Sequence, residues 1–321
     1  MRVLLWHVHG SWTTSFVQGA HEYVVPVTPE RDADGLGRAR TWDWPATVRE
    51  VAPESLAAAA PDVVVLQREH EPALVEKWLG LRPGVDLPAV YLEHNTPLHG
   101  VPDVPDTRHP MAGQDAIPVV HVTGFNELFW NCTGARTTVV DHGILDPGQR
   151  WTGEVPHAAV VVNDPARRGR SVGADLLGPL TRAVPVDVFG MRVDRLPPRP
   201  GLTVFEDLPQ EAMHTELARR GVYVHTARWT SLGLSLLEAM ALGMPVVALA
   251  TTEAAVAVPP EAGVLTTRVD RLVEAARHLL VDRDRAAAAG AAARAHVLEH
   301  HGLAEFLRRW DAVLADAVAG R

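Results

Sequence analysis

Short runs of consecutive apolar residues alternate with longer segments of helical spacing along the whole chain. In the first half the apolar runs fall at 3–9, 23–27, 62–66, 89–93, 119–123 and 137–141, each the length and composition of a strand covered on both faces. Segments of helical spacing at 12–19, 46–59, 71–80 and 126–132 separate them. A second series carries strand patterns at 158–162, 186–189, 202–205, 222–225, 245–248 and 263–265. Its helical patterns fall at 172–183, 209–220, 234–242, 269–281, 285–300 and 303–317. Strand and helix alternating in this way predict an α/β protein with parallel sheets and covering helices. The two series predict two doubly wound halves joined near residues 143–156. A proline-rich stretch at 96–118 is expected to be a loop.

Bulk properties narrow the class. A chain of 321 residues can bury two full cores, and 47% apolar with 21% charged residues fits an ordinary globular protein. No run of 18 apolar residues occurs, so no membrane insertion is expected. The opening MRVLLWHVHG lacks the features of a signal peptide and reads as a first strand. Cys132 is the single cysteine, which excludes an internal disulfide and fits a cytoplasmic location; at the end of an apolar helical stretch it is expected to pack rather than react.

Charge is uneven. Residues 1–150 hold 11 basic and 19 acidic residues, a net −8, whereas the remainder is nearly balanced at 19 and 20. An acidic first half argues against nucleic acid or an anionic membrane as partner and suits a small neutral or amine-bearing one. Lys77 is the only lysine, so phosphate binding would rest on arginine.

The run SLGLSLLEAMALGMPVVAL, residues 231–249, carries the strongest chemical signal. A polar loop opens onto a helix at Gly233, Leu236, Leu237, Met240 and Leu242 face a core, and a turn at Gly243-Met244-Pro245 leads to a β-branched strand. Glu238 lies near the positive end of that helix, where a carboxylate can accept two hydrogen bonds from a vicinal diol such as a ribose. The passage resembles the nucleotide-sugar signature of retaining GT-B glycosyltransferases (glycosyltransferase family 4-like), E-x-F-G-L-x-x-x-E-A-M-A-x-G-x-P-V-V. The first glutamate of the E-x7-E pattern is replaced here by Thr230.

The resemblance implies two Rossmann-like domains facing across a cleft. Residues 1–150 would form the acceptor-side domain, 151–302 the donor-binding domain, and 303–321 a helix returning to the first. It implies transfer of a sugar from a nucleotide diphosphate-sugar to a hydroxyl of a small-molecule or glycan acceptor, with retention and without a metal or other cofactor. The departing diphosphate needs fixed positive potential. Arg168 and Arg170, in the turn after strand 158–162, stand where the family has its basic pair and are candidate catalytic groups. The Ser231-Leu232-Gly233-Leu234 loop would offer amides to the same phosphates. Val204 and Phe205 would meet the base through their backbone. His94, after strand 89–93, matches a strand-end histidine that faces the reacting sugar, and Gly10 matches a turn that approaches the donor phosphates. Thr230 or Ser231 would then hold sugar hydroxyls, which suits a deoxy sugar.

Other motifs have ordinary readings beside chemical ones. His7 and His9 are spaced as in H-x-H metal strands, and Asp32-Ala33-Asp34 as in a D-x-D metal site; neither comes with further ligands in the sequence, and a polar loop accounts for the second. Trp42 and Trp44 could stack on an acceptor ring or pack. Two rival functions stand beside transfer: a degenerate binder of nucleotide sugars or of a partner enzyme, and a GT-B-type sugar-nucleotide epimerase. The oligomeric state is not legible.

Overall fold

The computed structural model describes residues 1–97 and 107–320, which form two compact units. The first comprises Met1–Gly143 with Leu303–Arg321, the second Ile144–Gly302.

In the first unit, β1 (Arg2–Leu5), α1 (Gly10–Phe16), β2 (Glu22–Pro26), β3 (Val48–Val51), α2 (Leu56–Ala59), β4 (Val63–Leu66), α3 (Glu71–Leu79), β5 (Ala89–Glu93), β6 (Val119–His121), α4 (Gly124–Phe129) and β7 (Thr137–Val139) follow in order. The strands make one parallel sheet in the order β3-β2-β1-β4-β5-β6-β7. Its central strands are apolar because helices cover both faces: Val63, Val64, Val65 and Leu66 are all fully buried. The C-terminal helix (Leu303–Val318) lies over β4 and β5 and buries Phe306, Trp310 and Leu314. Trp310 meets Trp12 and Phe16 of α1 edge-on, so that helix closes the core that α1 begins.

The second unit runs β8 (Val155–Val161), α5 (Pro165–Arg168), α6 (Leu177–Thr181), β9 (Val186–Gly190), β10 (Leu202–Glu206), α7 (Gln210–Ala218), β11 (Arg220–His225), α8 (Leu234–Ala241), β12 (Val246–Leu249), α9 (Ala254–Ala257), β13 (Gly263–Thr266), α10 (Val269–Val281) and α11 (Arg283–His300). The parallel sheet has the order β10-β9-β8-β11-β12-β13, the doubly wound order in which the chain reverses direction beside its first strand. In α8, Leu236, Leu237, Met240 and Leu242 are fully buried, so its apolar stripe docks on the core and its start is held at the sheet edge.

Three expected elements differ. The run 3–9 is a strand only to Leu5, and His7 and His9 lie in the turn that follows. Residues 46–59, read as one helix, instead contain β3, a 3-10 turn at Pro53–Ser55 and the single-turn α2. Pro53 cannot sit within a helix, and Val48 and Val51 flank polar residues on a strand at the edge of the sheet. The helix expected at 172–183 is broken at Gly173, which has φ of 77° and lies so close to the Thr226 carbonyl that a Cβ would come within 2.1 Å of it. A helical residue with a side chain does not fit there. Part of the predicted 96–118 loop, residues 98–106, lies outside the described residues.

Candidate functional site

Ligands of open α/β sheets gather at the carboxyl ends of the strands where the order reverses. In the second unit that point lies between β8 and β11. After β8 the chain turns through Asp164, in the left-handed region at φ 51°, and Pro165 starts α5. The following loop is stitched to the chain beyond β11. Arg228 and Trp229 donate their N–H groups to the Ser171 carbonyl at 2.8 and 3.1 Å, and the Thr226 hydroxyl donates to the Val172 carbonyl at 2.8 Å. These bonds tie the loop that follows Arg168 to the stretch that leads into Thr230 and Ser231.

The arginines of this region are not equivalent. Arg167 and Arg192 both bind the Asp164 carboxylate, at 2.7 and 2.9 Å. Arg170 and Arg228 share Asp175, at 2.9 and 2.6 Å. The Arg168 guanidinium, half-buried, makes no hydrogen bond or salt bridge among the described residues. Burial, and then the neighbouring Arg167, pull its pKa below the usual guanidinium value. The nearby Asp164 carboxylate attracts it but is bonded to Arg167 and Arg192, so the Arg168 guanidinium keeps its hydrogen-bond donors for an anion that arrives from outside.

The start of α8 completes the cluster. Ser231 is buried, and its hydroxyl has no hydrogen-bond partner among the described residues. An orphaned buried hydroxyl costs stability and calls for a partner. Thr230 beside it is partly exposed. Leu232 is buried, Leu234 packs on the core, and Gly233 opens the helix with extended backbone. Glu238 is buried, with Gln210 and His214 of α7 each donating to one of its carboxylate oxygens at 3.4 Å. Beyond β12, Glu253 N–H donates to the Ser231 carbonyl and Thr251 donates to the Ala227 carbonyl, while Thr252 stands at φ 50°. A β-branched residue in that region is strained, and such strain gathers at binding sites.

His225 lies beneath this loop. Burial lowers its pKa to about 4, so the ring is neutral at pH 7. Gln210, His214 and His225 were not singled out from sequence; each is a lone polar residue whose partner is remote or folded back from a loop. Val204 and Phe205 sit on β10, laddered to β9 and two strands from β8, so the structure does not bring them into the cluster. The Phe205 ring stacks on Phe189 with the Arg220 guanidinium 4.7 Å away, a packing role.

The first unit carries its own polar cluster at the equivalent point between β1 and β4. His94 is buried beyond β5, with its Nε2 2.8 Å from Gln67 Oε1 and its ring 4.0 Å from that of His9. Its pKa is lowered well below the ordinary value by burial, then by His9 and His142. Gly10 begins α1 under the indole of Trp42, which an added Cβ would approach to 2.4 Å. Trp44 is buried and donates to the Thr14 hydroxyl at 2.8 Å, which makes it a packing residue.

His7 turns away from His9, with Nδ1 3.1 Å from the Gly37 carbonyl and its ring edge-on to Trp44. Asp32 caps the amides of Asp34 and Gly35, and Asp34 pairs with Arg68 and His70, so the D-x-D motif organises a loop. Among the described residues no group of three or more potential ligands is placed to hold a metal ion. Cys132 lies 3.6 Å from His121 Nε2, and burial raises its pKa to about 11, a thiol at neutral pH.

Sequence comparison finds a match in the segment that holds α7, α8 and their strands. Residues 192–296 match the family Glycosyl transferases group 1. No curated protein matches the chain. Among solved structures, a sucrose-phosphate synthase from Thermosynechococcus elongatus superposes with a TM-score of 0.74 at 12% identity, covering 100% of both chains. HepE of Anabaena, in complex with UDP and glucose, gives 0.69 at 13% identity over 98% of this chain and 100% of its own. A glycosyltransferase from Rickettsia africae gives 0.66 at 14% identity, covering 99% and 98%. At these identities the likeness establishes the fold, two Rossmann-like units of the GT-B type. The group 1 segment contains Glu238 and the Ser231 loop, whereas Arg168 precedes it. Among the described residues no helix is long and apolar enough to cross a membrane.

Proposed function

We propose that the protein is a glycosyltransferase that takes a sugar from a nucleoside diphosphate donor held in the second unit and passes it to a hydroxyl. The observation that carries this reading is the Arg168 guanidinium, which makes no salt bridge among the described residues, on a loop hydrogen-bonded to the segment that leads into the orphaned Ser231 hydroxyl, with the buried Glu238 carboxylate one helix turn beyond. A diphosphate supplies the missing anion, and a pentose supplies the diol that Glu238 can accept. The match to Glycosyl transferases group 1 supports the same assignment. The likeness to HepE bound to UDP favours uridine as the base.

In this reading the sugar C1–O bond to the diphosphate breaks while a bond from C1 to the acceptor oxygen forms on the same face, which retains configuration. The departing phosphate oxygen takes the acceptor's proton. Arg168 and the amides at the start of α8 stabilise the charge that gathers on the phosphate, so no metal is required. Thr230 and Ser231 offer hydroxyls in place of the missing carboxylate, an arrangement suited to a sugar with fewer hydroxyls. Arg170, engaged with Asp175, contributes through the loop's shape and field rather than as a free cation. His94 of the first unit contacts a hydroxyl of the acceptor, which is a small molecule or glycan. The cytoplasm supplies such donors.

Thr230 also favours one rival, a binder without turnover. The deciding experiment incubates the protein with UDP-, GDP- and dTDP-sugars and measures released nucleoside diphosphate, alongside donor affinity by calorimetry. Release that depends on Arg168 and Glu238 supports transfer. Tight binding with no release, with acceptors present, supports the rival, and no binding at all rejects both.

A further inference from the structure

The polar cluster of the first unit contains a hydrogen-bond chain whose direction is fixed by its ends. The Trp6 carbonyl can only accept, and Gln67 Nε2 donates to it at 2.8 Å. That contact turns the other end of the amide, Oε1, toward His94 Nε2 at 2.8 Å. An amide oxygen only accepts, so Nε2 of His94 carries the proton and Nδ1 carries the lone pair.

Gln67 is itself held in place. Its backbone N–H donates to Glu71 Oε2 at 2.6 Å, and the other oxygen of this fully buried carboxylate receives Arg68 Nε at 2.7 Å. Four segments therefore converge: the end of β1, the turn after β4, the first residue of α3 and the turn after β5. Gln67 is buried, His9 and the edge of Trp12 flank the His94 ring, and His142 is the other titratable neighbour.

We propose that Gln67 is a positioning residue that locks His94 as the neutral Nε2–H tautomer, so that Nδ1 accepts a hydrogen bond from a substrate hydroxyl. The ligand group at this point is then a hydroxyl donor, and phosphate or carboxylate oxygens, which need a donor, are refused. Outer groups that fix an imidazole's tautomer in this way decide which nitrogen faces the ligand. The inference rests on His94 facing the acceptor, as in the function proposed above, but its primary test requires no turnover.

Histidine-labelled protein, full length, is examined at neutral pH by long-range proton–nitrogen correlation, with His94→Asn to assign the His94 signals. The expected spectrum shows a single tautomer, protonated at Nε2 and bare at Nδ1. Gln67→Leu should mix the tautomers and lower kcat/KM about tenfold with donor and acceptor present. Gln67→Glu, which keeps an accepting oxygen, should restore Nε2 protonation. An Nδ1–H tautomer or an imidazolium in the unaltered protein overturns the proposal, as does an unchanged single tautomer in a folded Gln67→Leu. If Gln67→Leu does not fold, the unaltered protein's spectrum decides alone. A chain that turns over no donor yet shows the Nε2–H tautomer rejects the transfer reading and leaves the tautomer lock standing.

Discussion

Gly233 stands directly over His225: a Cβ on Gly233 would come within 2.6 Å of the imidazole Cε1. The glycine's φ of −73° is open to any residue, so the demand for glycine here is steric and comes from the histidine. Gly233→Ala should therefore displace either the loop or the ring, at about 1–3 kcal/mol of overpacking. It should also weaken nucleoside diphosphate binding about tenfold, because the amides of 231–234 shift. Adding His225→Ala should restore part of the stability, measured by urea unfolding. If Gly233→Ala is neutral in both assays, the loop does not depend on this contact.

Arg168 and Arg170 should part company on substitution. Arg170 is largely exposed and shares Asp175 with Arg228, so Arg170→Ala should change donor affinity by less than about threefold, as for other exposed pairs. Arg168 makes no salt bridge among the described residues. Arg168→Ala should lower kcat by about 10²-fold, the size of losing one group aimed at developing charge. Equal effects from both variants would reject the assignment of Arg168 as the diphosphate contact.

Glu238 predicts a signature on the sugar of the nucleotide. If its carboxylate accepts both ribose hydroxyls, Glu238→Gln should weaken UDP by about tenfold or more and 2′-deoxy-UDP by much less. His214→Ala, which removes one of the two α7 groups that hold the carboxylate, should shift the same ratio in the same direction by a smaller factor. Calorimetry with the two nucleotides measures it. An identical loss for both nucleotides would place Glu238 elsewhere than on the diol.

The sequence made the fold legible where composition alone decides. Runs such as 63–66 and 246–249 are apolar on both faces and could only be interior strands. The loop–helix–strand at 231–249 was legible because its glycine, its carboxylate and its apolar stripe lie within one helix and its caps. Strand β3 was hidden because, at the sheet edge, Arg49 and Glu50 face outward and Glu50 is tied to Arg31, so alternation is weak. The site was half legible for a related reason. Gln67 acts on His94 from 27 residues away, and His214 on Glu238 from 24, so nothing local marks either. The basic loop showed three arginines, but only the positions of Asp164 and Asp175 reveal which one is unpaired.

The core of the second unit carries a buried charge network that should dominate its stability. Arg220 donates to Asp187 at 2.7 Å and to Glu216 at 2.6 Å, and its guanidinium stacks over Phe189 and Phe205. Arg220 and Asp187 are almost wholly buried. Arg220→Ala leaves the Asp187 carboxylate with His157 Nδ1, 3.1 Å from its other oxygen, as its remaining side-chain partner and should cost about 3–5 kcal/mol, detected as an early transition in denaturant. Arg220→Met with Asp187→Leu, which removes both charges, should recover most of that loss. A double variant no better than the single would show that the stacking, not the stranded charge, sets the cost.

Acid sensitivity follows from the buried imidazoles. His225 and His121 have folded pKa values lowered to about 4, chiefly by burial, against about 6.5 when exposed. Between those values the unfolded chain binds more protons than the folded one, so stability rises with pH and falls as pH drops from 6.5 toward 4. Each such histidine contributes a slope of up to about 1.4 kcal/mol per pH unit, so pH 5 should cost roughly 2 kcal/mol per histidine relative to neutral. Above about pH 7.5 these two groups are neutral in both states and contribute almost no slope. Replacing His225 by asparagine should flatten the stability profile between pH 6.5 and 5 without altering its slope above about pH 7.5, as measured by denaturant midpoints across the series. A profile with the same slope in the variant would mean that other groups carry the acid response, and that the ring beneath Gly233 protonates as readily in the folded chain as in the unfolded one.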